Sequence, residues 1–190
     1  MQSLVSLYNT ALARLGGNQF DRVNTPDEDS ATASLCRTLF PHVLDMALAH
    51  SPWQFAREVV ALGQKPNPEP SALVDHRYPF RFELPRDCVR PIQLQPETEF
   101  VISGQDLLTR VNPAILGYTA RLDQPPAWPP NFADGLAWLL ASELATAHIN
   151  DPQRQQFYLT MARAALDNAA AVERNSQRPI NNRSPWIGAR

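Results

Sequence analysis

His50-Ser51-Pro52-Trp53-Gln54-Phe55-Ala56 separates two kinds of periodicity in this sequence. Ahead of it, apolar residues recur at helical spacing. Behind it, for about seventy residues, they alternate every second position, and helical spacing returns near Phe132. Pro52 disfavours helix at the residue before it, and Trp53 and Phe55 supply bulk to anchor the next element on a shared core. Pro52, Trp53 and Phe55 therefore read as a structural junction that pins helix to sheet. No titratable cluster accompanies them in the sequence, which favours a packed corner over a catalytic one.

Upstream of the junction, Leu4, Leu7, Tyr8, Ala11, Leu12 and Leu15 share one helical face that stops at Gly16-Gly17. Thr25-Pro26-Asp27-Glu28 has the form of a capping box with proline at the first helical position, and predicts the start of a second helix there. Its stripe of Ala31, Leu35 and Leu39 meets Pro41, which predicts a bend before Val43, Met46 and Ala47 continue the face.

Downstream, Ala56 to Leu62 reads as a strand on its β-branched Val59-Val60, and Lys65 to Asp75 as a proline-rich loop. Tyr78 to Leu84 alternates strictly, with Pro79 restricting the strand to an edge or to the residues beyond it. Ile92 and Leu94 suggest a short strand. Phe100-Val101-Ile102 and Leu107-Leu108-Thr109 flank Ser103-Gly104-Gln105-Asp106 as a hairpin, and Leu116, Tyr118, Ala120 and Leu122 make a last alternating run. After a stiff linker at Gln124 to Pro130, Phe132, Leu136, Leu139, Leu140, Leu144 and Ala147 form a third helix ending near Asn150. Asp151-Pro152 starts a fourth, with a stripe of Tyr158, Ala162, Ala165, Ala169 and Val172 whose small residues admit a close neighbour.

The expected fold class is α+β: a four-helix bundle with an inserted small antiparallel β unit and an extended C-terminal tail. Residues 1–53 are the N-terminal helices, 54–124 the β sub-domain, 125–173 the C-terminal helices and 174–190 the tail. The tail carries arginines at 174, 178, 183 and 190 and no acidic side chain, and cannot build a core of its own. Trp186 and Ile187 within it read as anchors that order in a partner's groove, because Trp and Arg dominate interface energetics.

With 190 residues, 44% of them hydrophobic, the chain can bury a core without metal or disulfide staples. Net charge −2 gives no global attraction to nucleic acid or anionic membranes. Cys36 and Cys88 lack zinc or redox spacing and read as reduced thiols, which suits a product of the cytoplasm. Neither a leader pattern nor a span of eighteen apolar residues is seen, so secretion by the usual route and membrane insertion are not expected. His42, His50, His76 and His148 fall in separate elements with no HExxH spacing, and no phosphate loop or nucleophile elbow is present. The stretch Arg77-Tyr78-Pro79-Phe80-Arg81-Phe82 has the composition of a nucleic-acid stacking surface, but strand alternation already accounts for it. No cofactor, metal or catalytic site is read. The residues alone point to a structural or interaction protein with a partner-seeking tail. A small nucleic-acid-binding regulator, or an enzyme of unrecognised type, is the alternative.

Several motifs in order resemble the phage head-to-tail adaptor family, also called tail tubular protein A in short-tailed phages. Asn9-Thr10-Ala11-Leu12-Ala13-Arg14-Leu15-Gly16 resembles its opening helix, Pro52-Trp53-Gln54-Phe55-Ala56 its Pro-Trp-x-Phe-Ala motif, and Leu84-Pro85-Arg86-Asp87-Cys88 its Leu-Pro-x-Asp-Cys turn. The Gly104 hairpin, the Tyr118 to Arg121 strand, Phe132-Ala133-Asp134-Gly135-Leu136-Ala137 and the ending Ser184-Pro185-Trp186-Ile187-Gly188-Ala189-Arg190 follow in the family's order. The resemblance departs from the pattern where Ser51 separates His50 from Pro52, and in the proline-rich loop from Lys65 to Pro70.

The resemblance implies a virion protein of the phage neck, made in the host cytoplasm. It would form a homo-oligomeric ring of about twelve copies between the portal protein and the tail nozzle or next tail component. DNA would pass through the lumen without sequence-specific binding. The tail would be the portal-docking element, through Arg178, Arg183, Trp186, Ile187 and Arg190. A connector of a long-tailed phage is the related alternative. An extended tail of this kind orders on assembly, so the free chain is expected to be monomeric.

Overall fold

The computed structural model of the chain describes residues 3–16, 22–66, 77–148 and 152–176. Helix α1 (Leu4–Arg14) and helix α2 (Ala31–His50) are followed by strands β1 (Arg57–Ala61), β2 (Gln64–Lys65), β3 (Phe80–Glu83), β4 (Cys88–Gln95), β5 (Phe100–Ser103), β6 (Asp106–Thr109) and β7 (Ile115–Ala120). A 3-10 turn at Pro125–Ala127 leads into α3 (Pro130–His148), and α4 (Pro152–Ser176) comes last.

Local chemistry sets the helix ends. The Ser3 hydroxyl accepts from Ser6 N at 3.1 Å and opens α1. Gly16, at φ +96°, closes the turn after α1 in the left-handed region where only glycine is unstrained. Helix α2 begins at Ala31 and not at Thr25. The Ser30 hydroxyl accepts from Ala33 N at 3.2 Å, while Glu28 turns back to accept from Asn24 N at 2.7 Å. The capping-box residues thus close a separate turn ahead of the helix. Pro41 lies inside α2, which continues through it as one element.

Helix α3 is the hub, packing against α1, α2 and α4. Its contact with α4 is close: a Cβ at Gly135 would stand 2.6 Å from Leu166 Cδ2, inside any real contact distance. On α4 the buried face is Tyr158, Ala162, Leu166, Ala169 and Ala170. Val172, assigned to that stripe from its spacing, is 48% exposed, and Leu166 takes a core position instead.

The strands correct the expected fold class. They are not a small insert in a helical bundle but two antiparallel sheets, one of three strands in the order β1-β7-β4 and one of four in the order β2-β3-β6-β5. Their own core joins Phe82, Leu94, Leu107, Ala114, Leu116, Tyr118 and Ala120, and it is distinct from the helical core. Each large side chain buried there contributes roughly 1.5–3 kcal/mol, so the sheets carry a substantial core of their own. Two features hide this from periodicity. Pro91 and register shifts between Cys88 and Arg90 and between Pro91 and Gln93 break the alternation of β4, leaving Ile92 and Leu94 legible within an eight-residue strand. Strand β2 is two residues long and includes Lys65, where a proline-rich loop is expected to begin; residues 67–75 of that expected loop lie outside the described residues. Strand β3 begins just past Pro79, and the Gly104 hairpin, with Gly104 at φ +63°, falls where alternation put it.

Among the described residues no helix is long and apolar enough to cross a membrane.

Candidate functional site

The junction is held from several directions. Trp53 is 1% exposed, and its Nε1–H donates to Ala47 O at 2.8 Å, using a carbonyl near the end of α2. Its ring meets Phe132 of α3 edge-on at 5.0 Å, and Phe55 lies 4.9 Å from the same ring. Trp53 and Phe55 therefore pin α2 to α3. Toward the sheet the same segment is tied by backbone, with Ala120 N donating to Ala56 O at 2.7 Å, and Val89 of β4 packs against the core that holds Trp53 and Phe55.

Charged groups also meet here, which the sequence concealed. Glu173 Oε1 on α4 accepts from both Gln54 N (3.0 Å) and Phe55 N (3.1 Å), satisfying two amides that the break after α2 leaves without helical partners. His50 Nε2 lies 2.8 Å from Asp167 Oδ1. The Arg90 guanidinium of β4 donates to Ala49 O and His50 O, at the negative end of α2. Asp167 and Glu173 lie 117 and 119 residues from their partners, so no local pattern marks them.

The other residues that carry the family resemblance make tertiary contacts of the same kind. The Asn9 side chain donates to Val23 O at 2.8 Å and accepts from Val23 N at 3.0 Å. Arg14 pairs with the Asp134 carboxylate, donates to Asp134 O, and lies 4.0 Å over the Trp138 ring, while its own carbonyl accepts from Tyr158 Oη. Asp87 O accepts from Arg121 N at 2.8 Å, and its carboxylate accepts from Tyr118 Oη at 3.3 Å. Burial first, and then the Asp87 and Glu58 carboxylates, hold the Tyr118 phenol above its ordinary range and keep it neutral. Arg121 in turn bridges Asp45 of α2 (3.0 Å) and Asp123 (2.9 Å). Burial pushes the thiols of Cys36 and Cys88 up to about 11, and both are free cysteines.

A second charged cluster lies in the four-stranded sheet. Asp106, read from sequence as a turn residue, opens β6 with its side chain 9% exposed. It accepts from Arg81 Nε of β3 at 2.8 Å and from Lys65 Nζ of β2 at 3.0 Å. Arg81 first, then Lys65, holds its carboxyl below the usual carboxylate range. A depressed folded-state value means stabilisation that is present above the unfolded pKa and is lost as pH falls through the folded one. Asp106→Asn is expected to lower unfolding free energy by about 2 kcal/mol at neutral pH. The gap from wild type should narrow in acid, as urea melts at several pH values would show; a constant gap would refute the ionic account.

Among the described residues no cluster of His, Cys, Asp or Glu has the geometry to hold a metal ion. Arg178, Arg183, Trp186, Ile187 and Arg190 lie outside the described residues, whereas Arg174, placed in the tail by composition, belongs to α4, which runs to Ser176. Compared with known proteins, the sequence matches no family model and no curated protein.

Proposed function

We propose that this chain is a structural subunit of a phage head-to-tail adaptor ring, joining the portal to the tail and continuing the DNA channel. One observation supports this reading most. The motif residues, spread through the chain, meet one another: Arg14 with Asp134, Trp53 and Phe55 with Phe132, and Asp87 with Tyr118 and Arg121. Such contacts arise in any packed core, so they make the motifs parts of one scaffold, while the adaptor role itself rests on the order of the motifs along the sequence. These contacts use the motif side chains for packing and backbone capping, which suits a protein whose work is to hold a shape inside an assembly.

On this reading recognition belongs to the segment after Ser176, with Arg178, Arg183 and Arg190 pairing with portal carboxylates or carbonyls and Trp186 and Ile187 filling an apolar pocket. Because α4 continues to Ser176 and Glu173 caps the junction, a truncation that tests docking must begin at Gln177. Deleting residues 177–190 should leave the melting temperature unchanged and weaken capture by portal rings by at least about 100-fold, since a single lost Trp or Arg anchor at about 2 kcal/mol is already roughly 30-fold. Undiminished capture in a pull-down would overturn this assignment.

A further inference from the structure

Each of the two sheets has one blunted edge and one open edge. Strand β4 carries Pro91 and two register irregularities, and β2 is two residues long. Proline, bulges and brevity are the means by which sheet edges avoid pairing with other chains. Strands β1 and β5 have none of these. Among the described residues β1 pairs with β7 alone and β5 with β6 alone. Val59 and Val60 on β1 are 56% and 37% exposed, and Val101 and Ile102 on β5 are each 41% exposed. Adjacent strand residues point to opposite faces, so exposure of both members of each pair leaves these strands uncovered on both faces as well as along the free edge.

Two unlike open edges on one chain suit head-to-tail association, the geometry that closes rings. Charge favours a particular alignment. Arg57 opens β1, while Glu97 and Glu99, both exposed, precede β5. A parallel register that sets Val59 beside Val101 also sets Val60 beside Ile102 and Arg57 beside Glu99.

We propose that β1 of one subunit pairs with β5 of the next, joining the three-stranded sheet of each copy to the four-stranded sheet of its neighbour. The occupant of each edge is thus a second copy of this chain. This inference rests on the ring reading above and names the contact that would make the ring.

Neighbouring strands lie about 4.7–4.9 Å apart, within the Cα separations of about 4.4–6.8 Å that a disulfide spans, so cysteines side by side on the two strands can be bridged with small adjustment. In a Cys88→Ser background, the double variant Val59→Cys/Val101→Cys should give, on mild oxidation, a ladder of cross-linked oligomers, both on portal rings and at high concentration of the free chain. Either cysteine variant alone should give none. Adding Val60→Lys and Ile102→Lys should cut the cross-linked fraction at least tenfold without changing the melting temperature. Portal capture with no ladder would overturn the interface and leave the adaptor reading standing. A ladder from the free chain that portal rings fail to capture would support the interface and sink the adaptor reading. Dimers from Val59→Cys alone in the yield of the double variant's first rung, and lost on adding Val60→Lys, would also overturn the proposal, because they require like edges to meet.

Discussion

Replacing Trp53 by alanine is expected to remove about 4 kcal/mol of stability and lower the melting temperature by about 12 °C. The side chain is 1% exposed, packs edge-on against Phe132 at 5.0 Å, stands 5.7 Å from Phe55, and donates its indole N–H to Ala47 O. Alanine would lose that buried area, leave a cavity between α2 and α3, and leave the Ala47 carbonyl without its indole donor. A domain of this size is stable by about 5–15 kcal/mol, so the loss is a large part of the whole. Trp53→Phe separates the contributions. It keeps an aromatic ring and loses the hydrogen bond, and should cost about 1–2 kcal/mol. Because the backbone bond from Ala120 to Ala56 and the bonds that Gln54 N and Phe55 N donate to Glu173 converge on the same segment, helical and sheet signals should melt together in the alanine variant. A loss below about 2 kcal/mol, or sheets that outlast the helices, would show that the junction is not the shared hinge of the two cores.

The sequence revealed the junction because its signals are local. A proline, two aromatics and a change of period all fall within a few residues. The Gly104 hairpin and the third and fourth helices were legible for the same reason. What was hidden depended on distant partners or on interrupted pattern. Ser30 outcompeted Thr25 as a cap because Glu28 is engaged with Asn24, a local alternative that the motif alone does not rank. Strand β4 was mostly invisible because Pro91 and its register shifts break the two-residue alternation. Asp106 looked like turn chemistry until Arg81 and Lys65, 25 and 41 residues away, closed on it. Glu173 gave no signal at all, since an exposed carboxylate near a helix end has many uses and its two backbone donors lie on the far side of the chain. The exposed edges of β1 and β5 were equally unreadable, because an edge exists only once strand order is known.

Phe132→Ala should be comparably damaging, at about 4 kcal/mol, and its value lies in how it combines with Trp53→Ala. Phe132 is 0% exposed and shares ring contacts with Trp53, Phe55 and Trp128, the last at 6.3 Å. Two residues in direct contact do not destabilise independently. The second truncation removes contacts that the first has already taken away, so the double variant should lose about 1 kcal/mol less than the sum. Leu107, buried in the sheet core, supplies the control, because it belongs to the other cluster; Phe132→Ala with Leu107→Ala should add to within about 0.5 kcal/mol. Coupling in the first pair with additivity in the second would mean that Pro52-Trp53-Gln54-Phe55-Ala56 and Phe132-Ala133-Asp134-Gly135-Leu136-Ala137, some eighty positions apart, are a single physical unit of the scaffold. Additivity in both would make them separate anchors, and the spatial argument for reading the motifs as one set would lose its central contact.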